Sequence, residues 1–260
     1  MLWNASEVIG CEIAASDGHI GKIDDILFDD SNWNVRLLVV ETGHWLSSRK
    51  VLLPFSALGQ VDANQKECVI QLTMQQIRDS PDVETERPVS RQMEASVYGH
   101  YGYRPYWNGG SGLIGGIGYL GGYGYSNDLN GELSPPSAWW SEVETANAKR
   151  ENDDVHLRSV NEVSGYHIHA TDGQFGHVED FLVEDADWRI RYLVADTNDW
   201  WPGKKVLISP RSVKKIDWSV HLVSVDLNRQ KVKGAPAYTE AMLIDRSFEE
   251  DFATYYGFNL

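Results

Sequence analysis

The sequence predicts a mainly β protein with two small antiparallel β-barrels, each followed by a short C-terminal helix, arranged as a pseudo-twofold tandem repeat. One observation is an internal repeat: residues 2–102 align without a gap with residues 157–257, and more than a quarter of the aligned pairs are identical. A repeat of this length is a whole domain rather than a solenoid unit. The other observation is that each copy carries several short apolar runs between turn residues, which is the pattern of a small barrel.

The repeat predicts three parts of the chain. Residues 1–103 form the first barrel with its helix, residues 104–154 form a linker, and residues 155–260 form the second barrel with its helix. The linker is rich in glycine, tyrosine and proline, and such a composition forms no packed unit of its own. We therefore expect a flexible linker, and the alternative is an aromatic segment that associates with itself.

Apolar periodicity predicts the strands and turns of each copy. Asp17-Gly18 and Asp172-Gly173 predict tight hairpin turns, because glycine accepts the positive φ that such turns require. The apolar spacing breaks at Asp24-Asp25 and again at Glu179-Asp180, which predicts a β-bulge in the long strand. The predicted strands of the first copy cover residues 10–15, 20–28, 35–41, 50–53 and 68–72, and those of the second copy lie 155 residues later.

A helix is predicted at the end of each copy. In the second copy, Asp245 is a good N-cap and Gly257 lies where a C-terminal glycine is expected. The apolar face of this helix follows the spacing i, i+4, i+7 and i+8, with Phe248, Phe252, Tyr255 and Tyr256. The first copy has a weaker face, with Met93, Val97, His100 and Tyr101, between Ser90 and Gly102.

The overall charge limits the kinds of partner. The chain has 23 Lys and Arg against 38 Asp and Glu, for a net charge of −15. Such a surface repels phosphate backbones and anionic lipid heads, which argues against nucleic acid as the main partner. The two cysteines, Cys11 and Cys68, are too few for a disulfide scaffold and are predicted to be buried thiols. No signal peptide or membrane span is visible, so a cytoplasmic location is expected.

Sequence motifs then point to a family. Both copies contain D-G-x-x-G-x-x-x-D-x-L, then D-x-x-W-x-x-R-x-L-V, then T-x-x-W. The second copy continues with K-K-V-L-I-S-P at residues 204–210. This order resembles the PRC-barrel family. The first copy departs from it, since Ser47 and Ser48 replace Pro202 and Gly203, and Pro54 comes one position early relative to Pro210.

The resemblance implies a function. Two better understood relatives are the cytoplasmic domain of the photosynthetic reaction centre H subunit and the C-terminal domain of a ribosome-maturation factor. The resemblance implies a non-enzymatic docking or adaptor protein of a bacterium, or of an archaeon, with an unknown protein partner and no cofactor. One alternative is an H-subunit-like protein that assists electron or proton transfer at the cytoplasmic membrane face, with Asp25 and Asp180 relaying protons. A second alternative is an adaptor in RNA processing or ribosome assembly.

Other motifs do not predict chemistry. Residues 116–121 fit G-x-G-x-x-G, but they follow no strand and open no helix, so the dinucleotide fingerprint lacks its context. His167, His169 and His177 are expected on one outward face, where a metal is the alternative to ordinary surface imidazoles. No catalytic residue, cofactor site or metal site is predicted.

Charged residues in apolar strands predict structural pairs. Arg36 and Arg191 lie in otherwise apolar strands, and a buried charge needs a partner. We expect Arg36 to pair with Asp25 and Arg191 with Asp180, or else with Glu41 and Asp196; the alternative is that both arginines point to water. The candidate interface consists of Trp45, Trp200 and Trp201. The two copies are also expected to pack on each other, and association with a membrane would occur only through a partner.

Overall fold

The described part of the chain folds into a mainly β structure with two seven-stranded sheets and a few short helices. The computed structural model describes residues 1–62, 66–81, 89, 91–103, 157–197, 204–240, 242 and 244–258. Two compact units are present. The C-terminal unit contains Met1–Val8, Phe28–Val35 and Ser159–Leu260, and the N-terminal unit contains Ile9–Leu27 and Arg36–Arg158. Each sheet belongs mainly to one repeat, but the C-terminal unit also takes two short segments of the first repeat.

The elements of the two repeats begin at matching positions. The first repeat forms β1 (Leu2–Asn4), α1 (Ala5–Val8), β2 (Glu12–Ala15), β3 (Gly18–Asp29), β4 (Asn34–Thr42), β5 (Lys50–Pro54), β6 (Leu58–Asp62), β7 (Glu67–Ile70), α2 (Met74–Arg78) and α3 (Arg91–His100). The second repeat forms β8 (Leu157–Ser159), α4 (Val160–Val163), β9 (His167–Ala170), β10 (Gly173–Glu184), β11 (Ile190–Asp196), β12 (Lys205–Ile208), β13 (Val213–Asp217), β14 (Leu222–Val225), α5 (Arg229–Gly234) and α6 (Arg246–Tyr256). The apolar runs predicted as strands are strands in the structure, while β1, β6, β8 and β13 were not predicted.

The first strand of each repeat joins the sheet of the other repeat. In the C-terminal unit the strand order is β12-β11-β10-β9-β14-β13, and β1 pairs in addition with β10. In the other sheet the order is β5-β4-β3-β2-β7-β6, and β8 pairs in addition with β3. Each twelve-residue strand, β3 or β10, therefore carries a three-residue strand from the other repeat.

The prediction that all strands are antiparallel is wrong at one pair in each sheet. β14 runs parallel to β9, and β7 runs parallel to β2. The reason lies in the connection between β12 and β13, which is Ser209 and a 3-10 turn at Pro210–Ser212. Because this turn does not reverse the chain direction, the hairpin of β13 and β14 returns to the sheet with β14 parallel to β9. Apolar periodicity carries no information on strand direction.

The predicted bulge is confirmed in the second repeat. Val178 pairs with Ala195 and Asp180 pairs with Val194, so Glu179 is the extra residue. A second irregularity lies further along the same strand, where Leu182 pairs with Tyr192 and Val183 pairs with Ile190. The extra residue of this second irregularity is Arg191 on β11. The first bulge therefore bends β10 and the second bends β11, because a bulge interrupts the ladder and increases the local twist of the strand that carries it.

Helix α6 covers one face of the second repeat, as its spacing predicted. Asp245 caps its first turn through a hydrogen bond of 2.9 Å from the Phe248 backbone amide, and Gly257 ends it with φ of 79°. Phe252 is buried in an aromatic and aliphatic cluster with Leu182, Tyr192, Val194, Leu207 and Tyr238. Burial of side chains of this size contributes roughly 1.5–3 kcal/mol each. The cluster therefore joins the helix to β10, β11 and β12.

Both repeats use the same aspartate to begin the helix after the last strand. The carboxylate of Asp17 accepts a hydrogen bond from the Met74 backbone amide at 2.8 Å. The carboxylate of Asp172 accepts one from the Arg229 backbone amide, also at 2.8 Å. The Asp-Gly turns therefore do more than reverse the chain, because each also satisfies a free amide at the start of α2 or α5.

Gly21 is required by close backbone contact in the N-terminal unit. Its φ is 155°, and a Cβ placed on it would lie 2.0 Å from the carbonyl oxygen of Glu41. No flexible side chain can give way there, since the obstructing atom belongs to the β4 backbone. This contact explains the second glycine of the D-G-x-x-G motif.

We expect Gly21→Ala to destabilise the N-terminal unit by more than about 3 kcal/mol, because backbone strain and a backbone clash add together. Gly43→Ala is the matched control: Gly43 has an ordinary φ of −66°, and its Cβ would find its nearest neighbour at 3.7 Å. The control should change stability by less than about 1 kcal/mol. Urea unfolding of both variants measures the difference, and equal stabilities would contradict the assigned contact.

Candidate interaction surface

The outward face of the sheet in the C-terminal unit carries three histidine side chains. His167 pairs directly with His177 across β9 and β10, and His169 pairs with Gln174. The Nδ1 atom of His167 lies 2.7 Å from the Gln174 amide nitrogen. The predicted shared face is thus observed. Within the described ranges, however, no three His, Cys, Asp or Glu side chains come together so that they could hold a metal ion.

An exposed apolar tip lies beside this face. The 3-10 turn Trp218–Val220 connects β13 to β14, and Trp218 is 50% exposed while Val220 is 62% exposed. Leu222 follows in β14 and pairs with His167. We call these three side chains the hairpin tip, in which Trp218 and Val220 are exposed and Leu222 is half-buried. An exposed tryptophan next to a second exposed apolar residue is a common feature of binding surfaces.

Local hydrogen bonds hold the hairpin tip in one conformation. The Asp217 carboxylate accepts hydrogen bonds from the Ser219 backbone amide at 3.1 Å and from its hydroxyl at 2.7 Å. The Lys215 ammonium binds the same carboxylate at 2.5 Å. The bonds from Lys215 and Ser219 lower the pKa of Asp217 to about 2. His221 then ends the turn in the left-handed region with φ of 50°, and its ring lies 5.0 Å from that of Tyr166.

Positive charge is concentrated in this part of the chain. Residues 204–234 contain eight Lys and Arg against two Asp, although the whole chain has a net charge of −15. In β13, Lys214 binds Asp226 at 2.8 Å, and the side chains of Lys214 and Lys215 are 57% and 68% exposed. The strand that leads into the hairpin tip therefore presents two ammonium groups to solvent.

The structure places Trp45, one of the predicted interface tryptophans, in a half-buried position. Its indole Nε1 donates a hydrogen bond of 2.6 Å to the Ile20 carbonyl, and the Arg78 guanidinium lies 5.8 Å from its ring centroid. Both contacts hold Trp45 against β3 and α2 of the same unit. Trp200 and Trp201 lie outside the described residues, so their part in an interface stays a prediction.

Arg191 binds acids other than the predicted one. Its guanidinium binds Asp187 at 2.9 Å and Glu184 at 3.7 Å, and not Asp180. The cause is the second bulge: Arg191 has no direct partner there, because Tyr192 pairs with Leu182 and Ile190 with Val183. Its side chain is 35% exposed, so these pairs contribute little, of the order of 0–1 kcal/mol.

Asp180 instead anchors the segment that follows β1. Its carboxylate accepts hydrogen bonds from the Ser6 hydroxyl at 2.5 Å and the Ser6 amide at 3.2 Å. The Phe181 amide donates a further bond of 2.7 Å. Burial raises the pKa of Asp180, and the hydrogen bonds from Ser6 and Phe181 partly oppose that rise.

In the first repeat, Asp25 has the matching local contact, since its carboxylate accepts a hydrogen bond of 2.7 Å from the Ile26 amide. The backbone carbonyl of Arg36 accepts a hydrogen bond of 3.3 Å from the Tyr98 hydroxyl. The pairing of Arg36 with Asp25 stays a prediction.

Both cysteines are buried thiols of the N-terminal unit that form no disulfide, and their burial was predicted. Cys68 is fully buried in β7 and Cys11 is 1% exposed. Burial is the main cause that raises the pKa of the Cys68 thiol to about 12, and the neighbouring Cys11 adds to it. A thiol with so high a pKa forms little thiolate at neutral pH and is therefore unreactive.

Sequence reasoning missed the hairpin tip because a single tryptophan after a strand has no periodic signal. Comparison of the repeats could have found it. The counterparts of Trp218, Ser219 and Val220 in the first repeat are Ala63, Asn64 and Gln65, so the second repeat alone carries an apolar sequence there. The G-x-G-x-x-G stretch at residues 116–121 lies outside the described residues.

The fold of short strands and small helices agrees with what a comparison of the sequence with known families finds. The class is a small β-rich domain with helices after its last strand. Residues 4–73 match the family model of the PRC-barrel domain, so a PRC-barrel domain is present in the first repeat, as the resemblance predicted. No curated protein matches the chain. Among the residues that the structure describes, no helix is both long enough and apolar enough to cross a membrane.

We expect both cysteines to react with a thiol reagent such as dithionitrobenzoate only as fast as the N-terminal unit opens. The reaction in buffer should be slower by orders of magnitude than in urea, where both thiols become exposed. Fast stoichiometric labelling of the folded chain at neutral pH would show that the thiols are accessible.

The raised pKa of Asp180 gives stability a defined pH dependence. A carboxyl group with a folded-state pKa above its ordinary value of 3.8 binds its proton more tightly in the folded state. Stability from this group is therefore lost as the pH rises from about 3.8 through the raised pKa. Relative to Asp180→Asn, the wild-type chain should lose stability as the pH is raised from 4 to 7.

Asp217→Asn provides the control of opposite sign, because the pKa of Asp217 is lowered to about 2. Relative to this variant, the wild-type chain should gain stability as the pH rises from about 2 to 4. Urea unfolding at several pH values gives both differences. A wild-type chain that gained stability relative to Asp180→Asn with rising pH would contradict the assigned burial of that carboxyl group.

Proposed function

We propose that this protein is a non-enzymatic docking protein built from two PRC-type barrels, and that it binds a protein partner through the hairpin tip. The partner presents an apolar pocket bordered by acidic groups. The observation that carries the proposal is the exposure of Trp218 and Val220 on a turn that its own hydrogen bonds hold in place. The docking role that the family resemblance implies agrees with it.

The strand connections support curvature of each sheet toward a barrel. In the C-terminal unit, β12 and β13 lie at opposite ends of the strand order, yet only residues 209–212 separate them in the chain. Five chain steps reach about 18 Å at most. A flat sheet would hold strands five places apart at about 24 Å. The sheet must therefore curl, and a barrel-like form satisfies this requirement.

The hairpin tip has the properties of an anchor. A tryptophan side chain can bury up to about 250 Å². Because Trp218 is half exposed, of the order of 100 Å² of its surface remains for a partner to cover. At about 25 cal/mol per Å² this area is worth roughly 2–3 kcal/mol. Because Asp217 already fixes the turn, little conformational entropy is lost on binding. Tryptophan is also among the residues that most often dominate the energy of an interface.

Charge favours an acidic border on the partner. Lys214 and Lys215 are exposed in the strand next to the hairpin tip, and each also binds an aspartate. Residues 204–234 still carry eight Lys and Arg against two Asp, in a chain whose net charge is −15. Complementary charge speeds association and selects between partners. The same net charge of −15 disfavours a membrane surface or a nucleic acid as the occupant, because both carry extended negative charge.

The test compares variants of the full chain in affinity capture from the native host. Trp218→Ser should fold normally, since exposed substitutions change stability by about 0.5 kcal/mol or less, and should lose at least about tenfold of the captured partner. The control is Val69→Ser, which removes a 46% exposed apolar side chain from the first repeat and should retain the partner. Equal capture by the wild-type chain and Trp218→Ser would refute docking through the hairpin tip.

A further inference from the structure

A reciprocal pairing of backbone groups lies within the C-terminal unit. The amide of Val35 donates to the Trp188 carbonyl at 2.9 Å, and the amide of Ile190 donates to the Trp33 carbonyl at 2.8 Å. In the alignment of the two repeats, Val35 corresponds to Ile190 and Trp33 corresponds to Trp188. Exchanging the repeats therefore turns one hydrogen bond into the other. Trp33 and Trp188 also share the left-handed backbone, with φ of 62° and 51°. Such reciprocity is the signature of a self-complementary interface.

The first strands of the two repeats are exchanged in the same reciprocal way. In the C-terminal unit, β1 pairs with the last part of β10, where Leu2 faces Glu184 and Asn4 faces Leu182. Its equivalent in the second repeat, β8, pairs with β3. Each repeat thus gives its first strand and receives the first strand of the other.

Side chains reinforce the pairing of β1 with β10. Ser6 donates two hydrogen bonds to Asp180, and the Tyr238 hydroxyl donates to the Asn4 side chain at 3.4 Å. Leu2 packs against the aromatic cluster beneath α6. The contact therefore combines ladder bonds, a charge-assisted hydrogen bond and apolar packing, as in other cases where a strand is added to a sheet.

We propose that each repeat carries a self-complementary surface, made of its first strand and the turn around Trp33 or Trp188, whose partner is another copy of the same repeat. Within one chain the other repeat is that copy. The covalent connection raises the effective concentration of the partner but is not what holds the repeats together. The two repeats thus remain a noncovalent complex when the chain between them is cut.

The test uses the full chain with a site-specific protease sequence inserted after Ser134. After complete cleavage, light scattering on a size-exclusion column should show one species with the mass of the uncut chain, containing both fragments in equal amounts. Two species, each with the mass of a single fragment, would overturn the proposal.

A second variant tests whether β1 carries the contact. Ser6→Asp places a second carboxylate against Asp180, so the cut fragments should dissociate at a concentration at least about tenfold higher than those of the wild-type chain. The uncut Ser6→Asp chain should still fold, because linkage keeps the effective concentration near the millimolar range. Adding Asp180→Asn should restore most of the affinity. Identical dissociation of the cut wild-type and Ser6→Asp chains would show that β1 does not carry the contact.

Discussion

The length of β10 is the constraint on which the rest of the C-terminal unit depends. β11 pairs with it from His177 to Val183, but β9 pairs only with its first part, from Gly173 to His177. A strand with a buried edge must have its backbone groups bonded. The strands of the second repeat leave the edge near residues 182–184 open, and β1 fills it. The aromatic cluster on α6 packs against the same part of the strand.

The two bulges connect this constraint to the side chains. The bulge at Glu179 turns Asp180 toward Ser6, so the carboxylate meets the segment that follows β1. The bulge opposite Leu182 and Val183 turns Arg191 toward Glu184 and Asp187. The two bulges, on neighbouring strands, therefore direct Asp180 and Arg191 to different partners. Asp180 serves the pairing of β1, and Arg191 serves the turn that ends β10.

Local features of the sequence predicted the local structure well. The spacing of Phe248 and Phe252, the Asp245 cap and the break at Glu179-Asp180 gave α6 and the bulge, because each depends on neighbouring residues alone. Strand direction, the pairing of β1 with β10 and the partner of Arg191 could not be predicted in this way. They depend on contacts between residues far apart in the chain, where a change of one residue in register moves a side chain to another face.

The same distinction between local and long-range contacts holds for the candidate site. The common face of the three histidines followed from strand alternation, while the half-buried state of Trp45 depends on one hydrogen bond to a distant carbonyl. The hairpin tip lies where the sequences of the two repeats differ. A search for motifs that the repeats share therefore does not find it. Differences between the copies identify a specialised surface, whereas their identities report the fold.

The pairing of β1 with β10 has a consequence for the way the chain folds during synthesis. Leu2 is made about 180 residues before its partner Glu184. At translation rates of about 5–20 residues per second, β1 waits roughly 10–40 s for that strand to appear. The C-terminal unit therefore cannot reach its final form until the ribosome has completed β10. A translational pause before residue 184 would prolong the period in which β1 has no strand to pair with.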